Sequence, residues 1–363
     1  MNRTHEAKLW CNPLFENHIG VNSYANELSH ITSGRFTVLN CIGIDVSKST
    51  LNVHISKNSQ DLQIDNTIQS VKKLYSKLKK IYKKEIEEII FIFEPTGSYS
   101  ELLRKFCFEQ KIKCFIINPK QFANYAKALG EEVKNDEVDA RVLAQAIVLA
   151  KENQITVPHY DATVEQIKEL MSFYKFTTKQ TSQLKNHLES LVSKNGDKFA
   201  IKELRKSIKL SKEKEKRIIA EVQNIIDSNP TYKEDFKNIT SITGIGQIGG
   251  IALLHLFIKY PEANQRQIVS LVGLNPIYRK SGSSIQSLHK ISKSGSILYR
   301  GSLFMGVMTA IRYDDNFKAF YERLKANGKH TTQAQIAVMR KIIIVAHSLY
   351  KNKQQYVKIV NQR

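Results

Sequence analysis

The chain has 363 residues, enough for more than one core, with a formal net charge of +21 and a sequence pI near 9.6. That balance points to a polyanionic partner and leaves the reaction open, since non-enzymatic nucleic-acid binders share it. Four cysteines (Cys11, Cys41, Cys107 and Cys114) without a CxxC pair exclude a zinc ribbon and read as reduced thiols of a cytosolic protein, and the lack of a run of about 18 apolar residues excludes a membrane span.

Residues 1–37 show no sustained period and are expected to be an N-terminal extension without ordered structure, or to precede the true start of the domain. From Val38 the pattern is that of strands: 38–45 ends in an acid, 51–56 alternates, and 60–65 forms a third strand of an antiparallel meander. Ile68, Val71, Leu74, Leu78 and Ile81 predict an amphipathic helix over 67–83. A buried-type strand over 88–93 runs into Glu94-Pro-Thr-Gly97, a helix follows from Tyr99 to Gln110, and 113–118 is the next strand. Helical patterns over 121–129 and 137–151 complete an α/β domain.

Residues 163–227 are nearly free of Pro and Gly and carry apolar residues at helical spacing, with Gly196-Asp197 as the turn between two long helices. This predicts an antiparallel hairpin or an oligomerising coiled coil. Residues 201–217 hold eight Lys/Arg against three Glu, a solvated face or a nucleic-acid contact. A second domain opens after Asn229-Pro230. In it, Gly244-Ile-Gly246 joins a helix end to a new helix start, where small residues allow a phosphate to approach free backbone N–H groups; tight packing of two helices is the alternative. Residues 297–311 and 332–350 are apolar-rich helices.

From Ala263 to Tyr313 there is no Asp or Glu, where the chain average would place about five, while Arg266, Arg279, Lys280, Lys290, Lys293, Arg300 and Arg312 are present. Within this window lies a Gly/Pro/Ser-rich loop, residues 273–284, that offers hydroxyls beside cations and suits attack on a phosphodiester.

Four acids of the first domain sit where a metal site would need them. Asp45 ends the first strand, Glu94 ends a central one, and Asp136 and Asp139 lie three apart, on one face if that segment is helical. Clustered carboxylates repel unless a cation sits among them, and oxygen-only ligands favour Mg²⁺ or Mn²⁺. Singly, each acid has a plainer reading: a turn residue for Asp45, a strand terminator for Glu94, a helix-start acid for Asp136 or Asp139.

In order along the chain, Cys-Ile-Gly-Ile-Asp45-Val-Ser-Lys, Phe-Glu94-Pro-Thr-Gly, Lys-Asn-Asp136-Glu-Val-Asp139-Ala-Arg, Ile-Thr-Gly244-Ile-Gly and Gly273-Leu-Asn-Pro276 with Lys-Ser281-Gly-Ser-Ser and Ile291-Ser-Lys293 resemble the transposases of the insertion sequence 110 family, related to the Piv/MooV DNA invertases. The resemblance runs from about residue 40 to about 350. It implies an RNase H-like (RuvC-like) α/β domain over 38–158 whose DEDD carboxylates, here Asp45, Glu94, Asp136 and Asp139, bind Mg²⁺. A coiled-coil hairpin over 159–228 would follow, then a mainly α-helical transposase domain over 229–363 with a helix-hairpin-helix-like element and a serine nucleophile.

By motif match that serine is Ser281, with Ser283 and Ser284 as neighbours that blur the alignment. Nucleic-acid contacts fall to Gly244, Gly246, Arg279, Lys280, Lys290, Lys293 and Arg300. The resemblance further implies DNA and a structured noncoding guide RNA as partners, assembly as a tetramer, a cytoplasmic, nucleoid-associated location, and strand exchange through a phosphoserine linkage without ATP. The chain departs from the family at Lys293-Ser-Gly-Ser296, where Lys-Arg-Gly-Asn is common, which removes one cation and one amide from the loop. Two other readings fit the composition: a metal-dependent nuclease or resolvase using water, and a non-catalytic nucleic-acid-binding protein.

Overall fold

The computed structural model describes residues 32–33, 36–130, 136–277, 280–281, 285–286 and 290–357, with side chains omitted for 32–38, 136–137, 280–281 and 285–286. The chain divides into two compact units, 1–160 and 161–363. No described helix is long and apolar enough to cross a membrane.

The first unit is built on a five-stranded mixed sheet. Its strands are β1 (Cys41–Val46), β2 (Thr50–Ile55), β3 (Gln60–Asp65), β4 (Ile90–Phe93) and β5 (Lys113–Ile116), in the spatial order β3-β2-β1-β4-β5. The meander β1-β2-β3 is antiparallel, whereas β4 runs parallel to both β1 and β5. A two-residue ladder, Thr32–Ser33 with Phe36–Thr37, precedes them.

Side chains of a strand alternate between faces, and the sequence uses that period. Ile42, Ile44, Leu51, Val53, Phe91 and Phe93 form one core with helices α1 (Ile68–Tyr82) and α2 (Glu101–Glu109). Cys41, Ile90, Ile92, Phe115 and Ile117 form another, under α3 (Pro119–Ala128) and α4 (Asp136–Gln145). Thr67 caps α1 by accepting from the Ser70 N–H, and Asn118 followed by Pro119 opens α3. Cys41, Cys107 and Cys114 are buried thiols, as expected; Cys11 lies outside the described residues.

The second unit is helical. Helices α5 (Ala162–Ser193) and α6 (Lys198–Ser228) are separated by four residues and pack together as the predicted hairpin, with Thr181 Oγ1 on α5 donating to Glu215 on α6. Asp161 and Asp197 cap their N-termini. The base of the hairpin, through Ile167, Met171, Val222 and Ile226, joins one core with α7 (Pro230–Thr240), α8 (Gln247–Lys259), α9 (Gln265–Val272), α10 (Ile297–Tyr313), α11 (Asp315–Ala326) and α12 (Thr331–Asn352). Residues 249–258 of α8 are all buried, so a helix that is apolar all round becomes the axis of the unit.

The stretch 273–284, read from sequence as a loop, contributes to strands that continue to Ile291. Two nested antiparallel ladders join β6 (Pro276–Ile277) to β9 (Lys290–Ile291) and β7 (Lys280–Ser281) to β8 (Ile285–Gln286). Its Gly, Pro and Ser content favours turns locally, and strands of two residues are too short to show a period of two.

Candidate active site

In the first unit, sheet register decides which acids can meet. Ile44 on β1 pairs with Phe93 on β4, so Asp45 and Glu94 are the next residues of two neighbouring parallel strands, about 4.8 Å apart in the pairing direction. Alternation places Asp45 with Cys41 and Gly43, and continues Ile90 and Ile92 to Glu94, on the face that α4 covers. Helix α4 packs on β1, β2 and β4.

The approach is close because Gly43 has no side chain: a Cβ there would stand 1.9 Å from the Ala140 carbonyl oxygen and 2.5 Å from the Ala144 nitrogen. A glycine two residues before Asp45 therefore brings Asp139, the neighbour of Ala140, onto the face that carries Asp45 and Glu94. Asp136 begins the same helix, three residues earlier, and its side chain lies outside the described residues.

All four candidates are carboxylates, a donor set suited to a hard divalent cation. Asp45, Glu94 and Asp139 are half-buried, and each has a polar partner. Among the described residues no three His, Cys, Asp or Glu side chains form a ready-made cage. One observation supports a ligand on this face. Asn52 on β2, directly opposite Asp45 in register, is 2 % exposed, and its Nδ2 has no partner among the described groups. A buried amide donor left over beside an acidic cluster is suited to orient a carboxylate or to bind an oxygen of an incoming group.

Sequence reading passed over Asn52, and His54 with it. Their signal was available: with Thr50 they put a polar residue at every second position of the strand. His54 Nδ1 is 2.6 Å from Asp61 Oδ1 on β3, and Arg141 of α4 donates to Asp61 Oδ2 at 2.7 Å. Asp61 thus straps the acid-bearing helix to the sheet two residues past Asp139. Burial pushes its carboxyl up, and the hydrogen bonds from His54 and Arg141 outweigh that, leaving it below the usual carboxylate range.

In the second unit, Ser281 lies in β7 opposite Ile285, and Lys280 lies opposite Gln286. Arg279, Ser283 and Ser284 lie outside the described residues, as do the side chains of Lys280 and Ser281. Lys290 is exposed on β9, opposite Ile277. Lys293, also exposed, takes a left-handed backbone (φ 54°) and donates its N–H to the Gly273 carbonyl. The base of the ladder is closed further by the Ser292 N–H on the Asn275 carbonyl at 2.9 Å.

Arg300, half-buried on α10, is occupied by backbone: its Nη1 donates to the carbonyls of Val272 (2.5 Å) and Gly295 (2.9 Å), and its Nη2 to that of Lys293 (3.5 Å). Gly244, at φ 91°, sits against α10, where a Cβ would meet the Gly306 carbonyl oxygen at 2.2 Å. Gly246 is the residue before α8; a Cβ there would meet nothing within 4 Å, and no side chain caps that helix. Of the two glycines, the second leaves unclaimed N–H groups at a helix N-terminus.

Residues 42–195 match the DEDD transposase family of IS110, and residues 236–322 match the transposase IS116/IS110/IS902 family. The chain is 26% identical over 333 residues to the pilin gene-inverting protein of Moraxella bovis, covering 88% of this chain and 98% of that one. It has the same identity and coverage with the pilin gene-inverting protein of Moraxella lacunata. Over 161 residues it is 23% identical to the insertion element IS110 uncharacterized 43.6 kDa protein of Streptomyces coelicolor, covering 44% of this chain and 38% of that one.

Proposed function

The chain belongs to the IS110 family of transposases and is a DNA recombinase that binds DNA, and from that premise we propose that it cuts and rejoins DNA through Ser281 with the help of Asp45, Glu94, Asp136 and Asp139. A DEDD transposase domain implies an RNase H-like fold, which agrees with the mixed sheet, and a general dependence on divalent metal. The observation that carries the proposal is the register that sets Asp45 beside Glu94 on the face covered by the helix bearing Asp139.

In the proposed step Ser281 Oγ bonds to phosphorus and the bond from phosphorus to one sugar oxygen breaks. The hydroxyl proton leaves to solvent, and the departing oxygen takes one up. The four carboxylates would hold Mg²⁺ or Mn²⁺, which when bound supplies positive charge to a phosphate oxygen. Lys280, Lys290 and Lys293, with Arg279, offset charge that develops on the phosphate. Because a phosphoserine linkage conserves the diester's bond energy, rejoining is reversal of the same attack by a different strand end.

The reading extends to a noncoding guide RNA, which the resemblance to the family implies and which would supply sequence specificity to a basic chain. It extends also to a tetramer in which the acids of one subunit serve the serine of another, and to four segments, 1–37, 38–158, 159–228 and 229–363. Recombination of a plasmid carrying the element's ends should stop in Ser281→Ala and in Asp45→Ala. A mixture of the two variants should recover part of the activity if subunits share a site. Metal-dependent cutting that persists at full rate in Ser281→Ala would replace the recombinase step with hydrolysis by water.

A further inference from the structure

The second unit holds a cavity of about 860 Å³ at the foot of the Ser281 ladder. One wall is that ladder, through Pro276, Lys290 and Ile291; the other is the first half of α12, with Lys329 just before it. Gln333, Ile336, Ala337 and Arg340 recur at three- and four-residue spacing, a stripe along one face of α12 about 10 Å long. Lys290, Lys293, Lys329 and Arg340 are all exposed, no Asp or Glu among the described residues lines the cavity, and none of the four pairs with a described carboxylate.

Four cations without an acid call for phosphate. Between them, however, the floor is apolar: Leu274, Ile291, Leu324 and Ile336. A duplex offers its sugar-phosphate backbone to a basic surface and gains nothing from such a floor. A base taken out of the stack does gain from it, since extruded bases are held between apolar or aromatic side chains and read by a few polar groups. Gln333 and Thr332 are the polar groups at hand. The volume lies in the range of small-molecule sites, ample for one nucleotide with its phosphates.

We propose that this cavity binds an unpaired nucleotide of the DNA strand that Ser281 cuts, with the base on Ile291, Leu324 and Ile336 and the flanking phosphates on Lys290, Lys293, Lys329 and Arg340. Ser281 is five residues from Pro276, so at most about 18 Å of extended chain separates it from the cavity wall. At 3.4 Å per nucleotide along a strand, the bound nucleotide lies within about five positions of the cut. That proximity points to the cut DNA strand, and the RNA arms of the test decide between it and RNA. The inference rests on the reading of Ser281 as nucleophile, but its test reads binding alone and needs no cleavage.

Full-length protein is titrated by fluorescence anisotropy against a 20-base-pair duplex, the same duplex with one unpaired thymidine, and the RNA equivalent of each. The duplex with the unpaired base should bind about tenfold more tightly than the perfect one, because the cost of unstacking is already met. Ile336→Ser should erase that preference and leave perfect-duplex binding unchanged, with a lower melting temperature because Ile336 also packs on the core. Lys329→Gln with Arg340→Gln should weaken both complexes and reduce the salt slope by about 1.5. Photo-crosslinking from 5-iododeoxyuridine at the unpaired position should label the 324–340 or 290–293 peptides of the wild-type protein, which decides the matter if Ile336→Ser fails to fold. Equal affinity for both duplexes, a preference that survives Ile336→Ser, a stronger preference for the RNA form, or crosslinks confined to other peptides would overturn the proposal.

Discussion

The two units place their functional residues by opposite means. In the first, Asp45 and Glu94 stand at the ends of buried parallel strands, Asp136 and Asp139 on α4, and all are held by a hydrogen-bonded register and the seat of that helix on Gly43. In the second, the candidate serine sits in a two-residue ladder, and what is built around it is charge: a window without acids, cations on β9 and α12, and an arginine spent on holding the backbone. Geometry is stored in the sheet unit and electrostatics in the helical one. Carboxylates that share a cation must be held close against their repulsion, whereas a basic surface only has to be kept free of neutralising partners.

Breaking the geometry should have the largest effect. Gly43→Ala puts a methyl into the Ala140 carbonyl, so α4 must lift, which should cost about 3 kcal/mol or more and abolish recombination. Thermal unfolding together with a plasmid recombination assay checks this. A stable, active Gly43→Ala protein would show that the acids do not depend on that contact.

Acid should separate the units. Burial pulls His255, 2 % exposed in the core of the second unit, down to about 4 from an ordinary 6.5. The unfolded chain therefore binds a proton that the folded chain refuses between those values, and stability is lost as pH falls through that window, by about 3 kcal/mol in all. In the first unit, Asp61 is held below its ordinary value, so its contribution is intact above about pH 3.9 and fades only below it. Hydrogen exchange across a pH series should show the helical unit loosening first. His255→Asn or His255→Gln should remove most of the pH 6.5–4 slope.

Arg300→Ala removes donors from three carbonyls and should cost about 2 kcal/mol, with loosening of the backbone at 272–273 and 293–295. Arg300→Lys keeps the charge but not the planar fork, so a nearly equal loss would assign the residue to the backbone, and full rescue would assign it to DNA. The smallest effect is expected from Asp61→Asn, about 1 kcal/mol from a partly exposed pair, accompanied by a rise in the metal concentration needed for half-maximal activity as α4 loses its strap. Unchanged metal demand would confine Asp61 to a structural role.

Legibility in sequence follows the same divide. Strand alternation and the positions of Asp45 and Glu94 could be read directly, because a period of two and an acid at a strand end are local signals. The seat of α4 on Gly43 could not, since it pairs a glycine with a backbone nearly a hundred residues later. Asn52 and His54 were visible as polar residues at alternate positions of a strand, but only register shows Asn52 opposite Asp45. In the second unit, the acid-free window was plain from composition. The ladders within it were hidden by turn-forming residues, and a count of cations could not show that Arg300 donates to backbone carbonyls.

The central claim, that both units serve one covalent step, is tested most directly by peptide mass spectrometry. Purified protein would be incubated with Mg²⁺, supercoiled DNA bearing the element's ends, and RNA transcribed from its noncoding flank. A nucleotide adduct on the peptide containing Ser281, absent in both Ser281→Ala and Asp45→Ala, is the predicted result; cleaved DNA without any adduct would contradict it.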